Sequence, residues 1–333
     1  MFKSIFSKKK KVTVHEDYTS VDHLDDDMNR QGVVEDLRVM IFIDRTSSCK
    51  TTGRRSFGGK NLHDTTDRNG NPFQQTIRTL GHLLKFTQDT TFPVYAYGSN
   101  TARKFENHLH FLGLCQNVEE VEKVYLDTND TSDLAKPTCF RYILNEAMRV
   151  STETGYYYVV LIITDGSPDS DYRKDDLDAI YEAMDFPLSL VVVGVGDGPF
   201  EFMEQLDDMN LKAMGLDSSH IKQLKNKRGR FDNLQFVNLY EDILKSSTTD
   251  IKAAQEKAYF KMFGEVPQQY KFLKDRGYRS PKGCSKPYPA DRIVEEHEQL
   301  GIALPFTSDL DRPIVYTPSA PIQVPPKYTQ INY

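Results

Sequence analysis

Four short β-rich runs constrain the fold of this chain more than any other feature. They are RVMIFID (38–44), FPVYAYG (92–98), YYYVVLIITD (156–165) and LSLVVVGVG (188–196). Three are nearly all apolar, the pattern of strands whose two faces are both covered by helices. LQFVNL (234–239) predicts a last strand. Amphipathic stretches fill the intervals. NPFQQTIRTLGHLLKF opens with Asn71 as N-cap and Pro72 at the first helical position, and Phe73, Ile77, Leu80 and Leu84 fall at helical spacing. Further helices are predicted at 118–126, 139–150, 175–185 and 199–207, and at 253–274 with an interruption near Pro267. Strands alternating with helices give βαβ units. The predicted fold is therefore α/β, doubly wound and Rossmann-like, with a mostly parallel central sheet and helices on both faces.

The regular pattern sets domain limits. Residues 1–35 are polar and charged and predict a flexible segment. Residues 36–275 form the folded domain. Nine of the 16 prolines fall after residue 278, so residues 276–333 predict a flexible tail. No run of about 18 apolar residues suggests a membrane span, and MFKSIFSKKKK lacks the features of a signal peptide. Cys49, Cys115, Cys139 and Cys284 form no CxxC pair, which argues against structural zinc and a disulfide framework. A reducing, cytoplasmic location is expected, with membrane-peripheral or nuclear placement left open. The net charge of −6 gives no general attraction to nucleic acid. Phe2, Ile5 and Phe6 beside Lys8–Lys11 offer weak contact with an anionic membrane surface through residues 1–11, against the alternative of a solvated tail.

The stretch FIDRTSSCKTTGRRSFGGKN (42–61) follows the first strand and carries the densest chemistry. In doubly wound folds, ligands sit beyond the carboxyl ends of the strands. Asp44, Thr46 and Ser48 alternate in a D-x-T-x-S pattern, so one loop could aim all three at one point. Thr138 lies at the start of a predicted helix, and Asp165 ends the strand LIITD. These two carboxylates and three hydroxyls are hard oxygen donors, suited to Mg²⁺ or Mn²⁺ rather than Zn²⁺. With the hydroxyls binding directly, the first shell is nearly neutral, and the ion keeps an appetite for a carboxylate from another protein.

Other chemistries fit less well. GRRSFGGKN misses the phosphate-loop pattern, because Gly59 stands where lysine is required after Gly58. GVGDGPF places its third glycine at 198, one short of the dinucleotide fingerprint, and is consistent with a tight turn. Asp44 and Asp165 as catalytic acids lack a nucleophile with a flanking base, and kinase signatures are absent, so no enzymatic role is expected of this domain.

IDRTSS, RRSFGGKNLH, NPFQQTIRTLG, YYYVVLIITDG, FPLSLVVVGVGDGPF, FDNLQFVN and VPQQYKFLK occur in this order. Together they resemble the copine-type von Willebrand factor A domain (vWA). This subfamily is shared by copines and a group of plant RING-type ubiquitin ligases. The resemblance implies a metal-ion-dependent adhesion site (MIDAS) with Asp44, Thr46, Ser48, Thr138 and Asp165 as metal residues, and no catalytic ones. It implies a partner protein offering Asp or Glu to the ion. Copines also carry two C2 domains, which are not expected in this chain. A RING needs about eight Cys/His ligands, and Cys284 is the sole cysteine of the tail. A scaffold or adaptor role in ubiquitination stays open. Arg45 is an unexplained cation inside the metal loop, and residues 54–61 are a candidate rim for a partner.

PPKY (325–328) has the P-P-x-Y form that WW domains bind through an aromatic groove, making Pro325, Pro326 and Tyr328 candidate partner-binding residues. The expected function is a protein-interaction module with a divalent metal site. The alternatives are a component of ubiquitin transfer and a peripheral membrane protein.

Overall fold

The computed structural model describes residues 18–84, 91–207, 218–219, 221–222, 232–246, 251–281, 288 and 291–302. Residues 1–11 and the PPKY motif lie outside them. Six strands form the central sheet: β1 Leu37–Asp44, β2 Phe92–Tyr97, β3 Leu109–Cys115, β4 Tyr157–Thr164, β5 Leu188–Gly194 and β6 Leu234–Asn238. Their order is β3-β2-β1-β4-β5-β6, with every pairing parallel except the antiparallel β2–β3. β1 lies between β2 and β4. The chain winds outward from it in both directions, which opens a crevice at the carboxyl ends of β1 and β4.

The strand runs are continuously apolar because both faces are buried. On one face Val39, Ile41 and Ile43 of β1 join Val159, Leu161 and Ile163 of β4. Covering them are α1 (Val21–Gln31), α3 (Pro72–Thr79), α5 (Val118–Asp127), α9 (Ile251–Phe263) and α10 (Val266–Asp275). On the other face Met40 and Phe42 join Val160 and Ile162 beneath α6 (Phe140–Thr154), α7 (Arg173–Ala183) and α8 (Glu201–Asp207). Two short helices, α2 (Val33–Asp36) and α4 (Gly81–Leu84), lie among the connections. α3 starts as expected: Asn71 accepts from the Gln74 N–H at 2.9 Å, and the Gln74 side chain accepts from the Asn71 N–H at 3.0 Å.

Three segments differ from the sequence expectations. The N-terminal segment, expected to be flexible to residue 35, is folded from at least Ser20, which caps α1 by accepting from the His23 N–H. Leu24, Met28 and Val33 are fully buried. Asp25 in this segment accepts from the Tyr259 hydroxyl at 2.8 Å, and Asp36, just after it, accepts from the Tyr270 hydroxyl. These carboxylates satisfy buried tyrosines of α9 and α10. The tail expected after residue 275 contains a helix, α11 (Asp291–Leu300), whose Ile293 and His297 are buried. Tyr288, just before it, reaches the Tyr95 hydroxyl and Glu146. Flanking prolines hide this helix, and only two of its residues are buried. Strand β3 went unmarked because His110 and Gly113 interrupt LHFLGLC, which a sheet edge tolerates.

Candidate metal centre

β1, β2 and β4 end on the carboxylate of Asp44, which is fully buried. Its Oδ1 accepts the Thr46 backbone N–H at 2.7 Å, folding the metal loop back on the strand end. Its Oδ2 accepts from the Thr164 hydroxyl at 2.8 Å and the Tyr97 hydroxyl at 3.1 Å. Thr46 Oγ1 and Ser48 Oγ lie 2.9 Å apart. Both hydroxyls face Asp165 Oδ1, Ser48 at 3.0 Å and Thr46 at 3.4 Å. Asp44, Thr46 and Ser48 thus form one connected cluster with Asp165, which is 117 to 121 positions away in sequence.

Two residues of the cluster are absent from the sequence expectations. Thr52 donates to Asp165 Oδ2 at 2.7 Å. The Cys49 thiol is buried, and its sulfur and one oxygen each of Asp44 and Asp165 lie within 4.8 Å of one another. Neither stands at a motif position, so the spacing alone could not mark it.

Thr138 arrives on a separate loop. The Ser47 N–H donates to the Ala135 carbonyl at 2.6 Å, and the Ala135 N–H donates to the Gly98 carbonyl at 2.9 Å. This lays residues 134–138 against the metal loop. Gly98 has φ +77°, and a Cβ there would meet Thr46 Cγ2 at 2.3 Å, so the approach requires glycine. The Thr138 N–H donates to Asp169 Oδ2 at 3.3 Å, and its carbonyl accepts from the Asp169 N–H at 3.0 Å. No hydrogen bond among the described residues joins Thr138 to the other four. The helix it precedes, α6, is held from α7: Asp176 Oδ1 accepts the Arg141 N–H at 2.7 Å and serves as a cap from outside the helix.

Arg45 points away from the cluster. It is 3% exposed and extends toward α5, donating to the Tyr125 carbonyl at 3.0 Å and to the Asn129 side chain. Its guanidinium lies 4.8 Å from the centre of the Tyr125 ring. The cation therefore braces the loop rather than opposing an ion.

Burial pushes the carboxyls of Asp44 and Asp165 up from their ordinary range. For Asp165 the Asp44 charge adds to burial, and the carboxyl rises to about 7. Two carboxyls with two hydroxyls between them make a donor set that fits a hard divalent cation, which would relieve the repulsion of the charged pair.

The Copine family profile matches residues 61–282, more than half of the chain. The chain belongs to the copine family. The matched residues include Thr138 and Asp165 but not Asp44, Thr46 or Ser48. The chain is 34% identical over 291 residues to E3 ubiquitin-protein ligase RGLG5 of Arabidopsis thaliana, covering 81% of this chain and 61% of that protein. It is 31% identical over 262 residues to Copine family protein 1 of Caenorhabditis elegans, covering 78% of this chain and 22% of that protein. The chain thus spans less than two thirds of these relatives. A solved von Willebrand factor type A structure from Catenulispora acidiphila is 13% identical, covering 70% of this chain and 42% of that one, with a TM-score of 0.36. That superposition is too loose to bear on the site. Among the described residues, no helix is long and apolar enough to cross a membrane.

Proposed function

We propose that this copine-family domain is a protein-interaction module that holds Mg²⁺ or Mn²⁺ and captures an acidic group of a partner. The reading rests on one observation above others: the hydroxyls of Thr46 and Ser48 converge on Asp165 Oδ1 at the carboxyl end of the sheet. Asp44 backs them from β1. In this reading Thr46, Ser48, Asp44 and Asp165 hold the ion, with Thr138 reaching it after a shift of the 134–138 loop. The bound ion supplies an electrophilic position for a carboxylate oxygen. The residues' own task is to fix that position and exclude competing cations from the buried side. Calorimetric titration of Mg²⁺ into the wild type and Asp44→Ala tests this. Binding is expected in the first and not in the second, and equal weak heats in both would sink the metal claim.

A second reading is a role in ubiquitin transfer, favoured by the naming of RGLG5 and RGLG2 as E3 ubiquitin-protein ligases. This domain would then act as the substrate- or partner-selecting part, or recruit a WW-domain ligase through Pro325, Pro326 and Tyr328. Retention on immobilised WW domains, compared between wild type and Tyr328→Ala, tests recruitment. Equal retention would remove it.

A further inference from the structure

Residues 45–63 contain five cations, Arg45, Lys50, Arg54, Arg55 and Lys60, and no acid, in a chain of net charge −6. Arg45 is internal, as described above. The other four lie on a loop that begins and ends at the metal centre. The Thr51 and Thr52 N–H groups donate to the Ser48 carbonyl at 2.8 and 3.1 Å, and the Leu62 N–H donates to the Cys49 carbonyl at 2.9 Å.

The loop is held in one shape. The Gly53 carbonyl accepts from the Phe57 and Gly59 N–H groups at 3.1 and 2.8 Å. Phe57 and Leu62 pack against the core. From the turn after β5, Asp197 clamps the tip: its carboxylate accepts the Arg55 N–H at 2.8 Å and the Ser56 N–H at 2.9 Å. Its own N–H donates to the Thr52 carbonyl at 2.7 Å. The Asp197 carboxylate is thus held by backbone groups, and the Arg55 guanidinium donates to the Asp197 carbonyl at 3.4 Å. Lys60 lies 3.7 Å from Asp67. Lys50, Arg54 and Arg55 are exposed, and none forms an ion pair among the described residues. The fixed loop therefore presents Lys50 and Arg54 without an ion-pair partner among the described residues, and Arg55 only partly balanced by Asp197, beside a cluster suited to binding a carboxylate.

We propose that the metal centre and this rim form one docking surface for an acidic segment of a partner protein. One carboxylate of the segment occupies the ion, and neighbouring carboxylates meet Lys50, Arg54 and Arg55. The inference rests on the metal reading above and adds to it the class of partner. Charge complementarity carries it: a rigid cationic rim raises the local concentration of acidic peptide and fixes its register. Guanidinium groups at Arg54 and Arg55 match carboxylates two by two.

The test uses the full chain and a fluorescein-labelled octaglutamate peptide, followed by anisotropy with Mg²⁺ and with EDTA. Wild type should bind in Mg²⁺, more weakly as salt rises. The double change Arg54→Glu and Arg55→Glu should weaken binding by about tenfold or more, and the same pair changed to Gln by a smaller factor. Calorimetric Mg²⁺ binding and thermal midpoints should stay at wild-type values in both variants, since these side chains are exposed. Unchanged octaglutamate affinity in the Glu variant, with Mg²⁺ binding intact, overturns the rim alone. No Mg²⁺ binding by wild type overturns the metal reading and the joint surface with it. Binding to phosphatidylserine vesicles but not to octaglutamate assigns the rim to a membrane and overturns the protein partner.

Discussion

Replacing Asp165 with Asn should have two effects of opposite sign. In the metal-free protein Asp165 is 1% exposed and faces the Asp44 carboxylate, which together with burial pushes its carboxyl from 3.8 to about 7. The folded state therefore holds this proton more tightly than the unfolded state. Stability is fully present below about pH 4, falls as pH rises through the window to about 7, and then levels off. Roughly three pH units at about 1.4 kcal/mol each place an upper bound near ~4 kcal/mol on the loss. Asp44 shares the repulsion, so a gain of about 1–3 kcal/mol is expected on removing one charge. An amide at this position can still accept from one of Ser48 and Thr52 through its oxygen and donate its NH2 to the hydroxyl oxygen of the other. In EDTA at neutral pH, Asp165→Asn should thus be the more stable protein, with a flatter pH profile. Mg²⁺ works against that gain: at about 100 times its dissociation constant it adds about 2.7 kcal/mol to a protein that binds it, and little to the variant. Urea melts at about pH 5 and pH 7.5, with EDTA and with Mg²⁺, measure all four corners. A variant that is less stable than wild type in EDTA at pH 7.5, or that gains as much from Mg²⁺, would refute the reasoning.

Gly98→Ala puts a methyl group 2.3 Å from Thr46 Cγ2 at a left-handed backbone position; it should cost about 1–3 kcal/mol and abolish Mg²⁺ binding in calorimetry, since Thr46 must move. Arg45→Met removes the donor to the Asn129 side chain and one of the donors to the Tyr125 carbonyl and should lower stability by about 1–3 kcal/mol, while Asp44, Ser48 and Asp165 stay in contact and Mg²⁺ binding survives. Asp176→Ala removes the external cap of α6 and should cost about 1 kcal/mol in urea melts, with faster amide exchange confined to the first turn of that helix. Ile293→Asp should release α11, seen as loss of amide protection over residues 291–300 with the sheet strands still protected.

The parallel sheet was legible in the sequence because burial on both faces leaves no polar alternation in β1, β4 and β5. Asn71 with Gln74 marked the start of α3 because a cap is a local interaction within four residues. The acids Asp25 of α1 and Asp36 of α2 were misleading for the opposite reason. Asp25 and Asp36 answer to Tyr259 and Tyr270, each 234 positions away, and no local pattern carries that pairing. α11 escaped notice because its two buried residues are too few for a periodic signal.

The candidate site divides in the same way. The residue types and spacing of D-x-T-x-S, with Asp165 at a strand end, were enough to name hard oxygen donors. The sequence alone also determined that these donors follow strands of a doubly wound fold, hence a shared crevice. Only the tertiary structure decided the rest. The pairing of β1 between β2 and β4 sets Tyr97 and Thr164 on Asp44, and a glycine contact lays the 134–138 loop against Thr46. The direction of Arg45 depends on α5, whose Tyr125 offers a carbonyl and a ring, and on the Asn129 amide just after it, to a cation that a linear reading places in the metal loop. The charges of residues 50–60 were visible from the start, but their rigidity was not, because it comes from Asp197 on the turn after β5. Strand propensity and donor chemistry are properties of neighbours in sequence; which donors meet, and which charges are left unopposed, is set by contacts between segments that only folding brings together.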